Sequence, residues 1–148
     1  FDGDPSVTSP LYVYDGSAPN EYYASAVGAA GDVDGDGVGD FAIGNPIHPV
    51  AAQFRFGRVQ LFSGATGALI RDLLGPTSVN GPSGFGSALA NVGDINGDGR
   101  PDMLVGAPFY RNAPLPTQNL GLARVHSGLS GAVLYEVLGQ ENDDRLGN

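Results

Sequence analysis

The sequence predicts an all-β protein made of four-stranded antiparallel units, and three observations carry that expectation. Short apolar runs are divided by Gly, Pro, Asn and Asp throughout, the punctuation of strands and turns. No run shows helical spacing. The chain also repeats itself: 62 positions separate Asp32 from Asp94, and the same offset relates YASAVGAAGDVDGDG (23–37) to FGSALANVGDINGDG (85–99).

Each unit reads as four short strands. The first holds Ala26 to Ala29, and Ala88 to Val92 in the second unit. A glycine-rich aspartate loop follows. The second strand is Phe41 to Gly44, or Met103 to Gly106. A long, variable, proline-bearing loop leads to the third, Arg58 to Phe62 or Ala123 to His126. SGATG or SGLSG then turns the chain into the fourth, Leu69 to Leu74 or Val133 to Leu138. Four antiparallel strands repeating at this period describe a propeller blade.

About two units are complete. Residues 22–83 form the first blade and 84–144 the second; 145–148 begin a further repeat. Residues 1–21 are an N-terminal segment whose LYVY (11–14) is expected to be a strand of a preceding or partner blade. That expectation rests on YVYDGSAPNEYYAS (12–25) aligning without gaps on YEVLGQENDDRLGN (135–148).

The totals narrow the chemistry. The 148 residues include 24 Gly and 11 Pro but no collagen-like triplet, and 41% are hydrophobic, too many for a disordered chain. Formal net charge is −9 and every basic residue is Arg, which argues against a nucleic-acid backbone or an anionic membrane surface as partner. The absence of Cys excludes disulfides, zinc–thiolate sites and thiol catalysis. No apolar span is long enough to insert in a membrane as a helix. The chain begins at Phe1 with no visible leader, as expected of a mature or excised piece.

Seven acids are concentrated in the two loops. Counting from the first Asp, positions 1, 3, 5 and 9 are Asp32, Asp34, Asp36 and Asp40, then Asp94, Asn96, Asp98 and Asp102. Glycines 35, 37, 97 and 99 let the backbone curl, so alternate side chains converge. Position 7, Val38 or Arg100, offers its carbonyl oxygen. Without a cation, four like charges a few ångströms apart would cost several kcal/mol. An all-oxygen anionic cage suits Ca²⁺ better than Mg²⁺, which demands a stricter octahedron and more water. An EF-hand needs a bidentate Glu at position 12; Ile43 and Val105 stand there, inside strands. Two calcium sites are expected.

These residues resemble the FG-GAP repeat, the blade of integrin alpha-chain propellers. Phe85-Gly86, the loop from Asp94 to Asp102 and Gly106-Ala107-Pro108 carry the pattern. The first unit departs from it at Tyr23-Ala24 and at Gly44-Asn45-Pro46. The resemblance implies calcium ligation by Asp32, Asp34, Asp36, the Val38 carbonyl and Asp40, and by Asp94, Asn96, Asp98, the Arg100 carbonyl and Asp102. It also implies an extracellular or cell-surface module that binds or adheres.

Two blades do not close a ring, since propellers take about four to eight. A fragment of a longer propeller, a ring of copies and an open filament all remain open. The expected partners are copies of the chain or further blades, with a glycan or protein as ligand. Catalysis is not expected: His48 and His126 lie in no nucleophile motif, and the aspartates are explained as ligands. The tyrosines (12, 14, 22, 23 and 110) are expected to pack between blades rather than stack on sugars. The arginines (55, 58, 71, 111 and 124) are expected along solvated strand edges. A second reading is an accessory propeller piece of a secreted enzyme acting on polysaccharide or lipid.

Overall fold

A computed structural model describes residues 11–16, 22–51, 54–78, 81–111, 119–141 and 144–148. Most of the N-terminal segment, 1–10 and 17–21, lies outside the described residues. The fold is all-β, and the described residues include no helix.

The first sheet contains β1 (Ala26–Gly31), β2 (Asp40–Asn45), β5 (Arg58–Phe62) and β6 (Leu69–Leu74). A two-stranded ribbon, β3 (Pro49–Ala51) with β4 (Phe54–Arg55), rises from the loop between β2 and β5. The sequence predicts loop throughout that stretch, and the ribbon departs from it. The second sheet contains β7 (Ala88–Gly93), β8 (Asp102–Ala107), β9 (Leu122–His126) and β10 (Val133–Leu138). Within each sheet the strands pair antiparallel in sequence order. These are the four-stranded blades expected, and the two do not close a ring.

The burial pattern follows strand position. Central strands β2 and β8 are buried on both faces, whereas β6 and β10 are largely exposed at the outer edge. One continuous core joins the blades, running from Ala42, Val59, Leu61 and Leu73 to Phe85, Met103, Val105 and Leu122.

A recurrent turn fastens one blade to the next. Phe85 is fully buried and bridges Gly57 of the first blade in parallel register. Leu146 bridges Gly121 of the second in the same way. The flanking residues are left-handed at each occurrence: Tyr22 and Ala24 (φ 54° and 59°), Gly84 and Gly86 (73° and 92°), Arg145 and Gly147 (49° and 92°). In the first two turns a serine hydroxyl closes the turn at 2.6 Å, Ser25 onto Tyr22 O and Ser87 onto Gly84 O.

Residues 11–14 form no ladder within this chain; the pairing expected of them is with a preceding or partner blade. They dock through side chains instead. Tyr14 packs on Phe62 with ring centroids 4.3 Å apart, and its hydroxyl donates to Gly67 O at 2.7 Å. Tyr12 donates to Ala65 O at 2.8 Å. Arg71, on β6, makes the matching contact one blade later, donating to the carbonyls of Gly128 (3.1 Å) and Leu129. Tyr12 and Tyr14 thus occupy on the first blade the place that Arg71 and Leu73 occupy on the second, where both lie against Gly131.

Candidate metal centre

Each aspartate loop lies between the first and second strands of its blade, and short-range hydrogen bonds set its curl. In the first, Asp32 accepts from the N–H groups of Gly35 (2.6 Å) and Gly37 (3.1 Å). Asp34 accepts from Asp36 N at 3.1 Å, and Asp36 from Val38 N at 2.8 Å. The second loop repeats this. Asp94 accepts from Gly97 (2.7 Å) and Gly99 (2.8 Å), Asn96 from Asp98 (2.9 Å), and Asp98 from Arg100 (3.0 Å). The curl needs left-handed glycines, and 35, 37, 97 and 99 all have φ between 77° and 87°.

The position-9 carboxylates do more than close the loops. Asp40 is 3% exposed and Asp102 fully buried. Asp40 accepts from Val33 N at 2.7 Å with one oxygen and from Gly64 N at 2.9 Å with the other. Asp102 accepts from Ile95 N at 2.9 Å and Gly128 N at 3.2 Å. Each therefore ties its loop to the S-G-x-x-G turn between the third and fourth strands. The repeated SG dipeptide signals this partnership in the sequence, where it was read only as a turn.

Among the described residues, one cluster of acids has the spacing of a metal site. Asp32, Asp34 and Asp40 offer carboxylate oxygens within 4.8 Å of one another. Asp36 stands outside that cluster. The second loop assembles no equivalent acidic trio, and an amide, Asn96, occupies its position 3. There the Asn96 amide (2.9 Å) and the Ser127 hydroxyl (3.0 Å) both donate to Asp98. The Asn96 bond, more than any other influence, holds the Asp98 carboxyl below its ordinary value; Ser127, the Arg100 N–H and the Arg100 charge add to it against a smaller desolvation effect. Ser127 was missed from sequence.

The donors fit a hard divalent cation. Three carboxylate oxygens converge, and every side-chain ligand the loop offers is oxygen. Asp32, Asp34 and Asp40 would hold such an ion in the first loop.

Of the remaining candidates His126 and Tyr110 resolve as packing, whereas Tyr22, expected to pack between blades, is 65% exposed because it flanks the turn at its open side. His126 is 4% exposed, edge-on to Phe85 with ring centroids 5.6 Å apart. Tyr110 is buried. Arg58 and Arg124 are half-buried and pair with Asp72 (3.6 Å) and Glu136 (2.6 Å) across the outer strands. Arg71 departs from the expected solvated edge, because its guanidinium reaches the neighbouring blade.

Residues 85–125 match the FG-GAP repeat. The chain is 31% identical to integrin alpha-3 of Cricetulus griseus over 140 residues, 91% of this chain and 12% of that protein. It is 31% identical to integrin alpha-PS5 of Drosophila melanogaster over 112 residues, 76% of this chain and 11% of that protein. Phosphatidylinositol-glycan-specific phospholipase D of Rattus norvegicus is 41% identical over 119 residues, 74% of this chain and 14% of that protein. The chain thus spans only a small part of the length of these relatives.

Proposed function

Since the chain carries an FG-GAP repeat and aligns along most of its length with integrin alpha chains, we propose that it is a calcium-stabilised, non-catalytic propeller module acting outside the cell in adhesion or assembly. The carrying observation is the convergence of Asp32, Asp34 and Asp40 in a loop whose curl already points their oxygens inward. Bound Ca²⁺ would neutralise that convergence. Asp32, Asp34, Asp36, the Val38 carbonyl and Asp40 form the proposed first site. Asp94, Asn96, Asp98, the Arg100 carbonyl and Asp102 form the second. Because Asp40 and Asp102 also hold the third-to-fourth-strand turns, an ion at either loop steadies its whole blade.

The partner we favour is a further blade. Tyr135 and Val137 on β10 are 60% and 58% exposed, at the positions that Arg71 and Leu73 use against the second blade. Beside them, Leu89, Ala90, Leu104 and Ala123 line a groove of about 160 Å³.

The phospholipase D relative favours one alternative, an accessory propeller segment of a secreted enzyme. Calorimetric melting with calcium and with EGTA tests the calcium reading; identical melts would sink it. The full open reading frame tests the alternative, for which a further, catalytic domain joined to this segment would speak.

A further inference from the structure

The two aspartate loops touch. The guanidinium of Arg100, at position 7 of the second loop, crosses to the first and donates to Asp34 O at 3.4 Å. It lies so close over Gly35 that a Cβ there would overlap it. The main chain of the same residue belongs to the second loop, where its N–H donates to Asp98 at 3.0 Å. The ground beneath is firm. Gly31 of β1 is packed against Asn91 and Pro101 of the second blade with no room for a side chain. Arg100 is therefore a short strut, rooted in one loop and resting on the backbone of the other.

The loop itself does not demand an arginine, because Val38 fills position 7 in the first blade and is 44% exposed. The arginine also reaches from the less acidic loop, with Asp94, Asp98, Asp102 and the neutral Asn96, toward the more acidic one. Gly35 completes the arrangement: its φ of 83° needs glycine for the curl, and its bare Cα leaves the seat for the guanidinium.

We propose that Arg100 couples the two loops, so that a divalent cation bound in the second strengthens binding in the first. This rests on reading the loops as cation sites. An ion on the second loop fixes the Arg100 main chain, the guanidinium then stays seated on Asp34 and Gly35, and less ordering remains for the first loop's own ion to impose. The coupling is reciprocal by linkage.

The test is a mutant cycle on the full chain, with calcium titrated and followed residue by residue by amide NMR. Asp98→Asn weakens the second loop; Arg100→Val installs the residue the first loop already uses. The expected result is that Asp98→Asn weakens calcium binding at Asp32–Asp40 by about threefold to tenfold when Arg100 is present, and leaves it unchanged in the Arg100→Val background. Equal effects in both backgrounds, with both loops binding calcium, overturn the coupling. A second measurement needs no metal. In EGTA, Arg100→Val is expected to speed amide exchange at residues 35–37 severalfold, and unchanged exchange would overturn the strut. If neither loop binds calcium while exchange still quickens, the strut stands and the cation reading, with the coupling, falls.

Discussion

Gly44 of β2 lies against the carbonyl of Gly86 so closely that no methyl group fits between them. Gly106 and Gly147 repeat the relationship one blade later. The close approach lets the interblade turn lie flat on the preceding sheet and seats Phe85 in the core.

Replacing Gly44 by Ala is expected to push the blades apart and destabilise the chain by about 2 kcal/mol or more, the usual consequence of overpacking against unyielding backbone. Gly39→Ala is the control. Nothing lies within 4 Å of a Cβ there and the residue is not left-handed, so that change should be neutral or stabilise by up to about 1 kcal/mol. Denaturant titration compares the two.

Phe85→Ala should cost about 3–5 kcal/mol, as expected for a fully buried aromatic side chain. It removes the side chain that plugs the joint, so a fall in Tm of roughly 10 °C is expected by calorimetry. Leu146→Ala should cost less, because Leu146 is only half-buried.

Asp34 and Asp40 should respond differently to neutralisation, although both belong to the proposed site. Asp34 is exposed and its carboxylate holds only the N–H of Asp36. Asp34→Asn should leave the melt in EGTA almost unchanged while shrinking the gain from calcium. Both oxygens of buried Asp40 accept backbone N–H groups. An Asn amide would turn a donor toward a donor, so Asp40→Asn should cost about 1–3 kcal/mol even in EGTA. Paired melts with calcium and with EGTA separate the two roles.

Acid sensitivity should trace to His126. Burial, above all, depresses its pKa below the ordinary 6.5; the nearby Arg124 charge adds to this and the bond to Gly131 O opposes it. Nδ1 lies 3.0 Å from that carbonyl, which assigns it the proton, and Nε2 is buried without a partner. The unfolded chain therefore takes up a proton at higher pH than the folded chain. Stability is full above the unfolded pKa and falls as pH drops through it toward the lower folded value. His126→Phe, which installs the counterpart of Phe62, should shrink the Tm difference between about pH 7.5 and about pH 5.5.

The division between what was legible and what was not follows the range of the forces involved. Strand alternation, glycine turns and the 62-residue offset are local, so Arg58–Phe62, Leu69–Leu74 and Val133–Leu138 are legible to the residue, and the aspartate loops are legible as curled turns between the first and second strands. Contacts between blades leave no such trace. Arg71 looks like a solvated cation until the neighbouring blade supplies carbonyls for it, and Arg100 shows only its main-chain oxygen until its guanidinium meets Asp34 O. LYVY has strand composition, yet a strand exists only where another chain segment offers a ladder. Local sequence set each blade and its oxygen-lined loop; the tertiary structure alone decided which glycines must stay bare, which arginines cross and where Phe85 locks one sheet to the next.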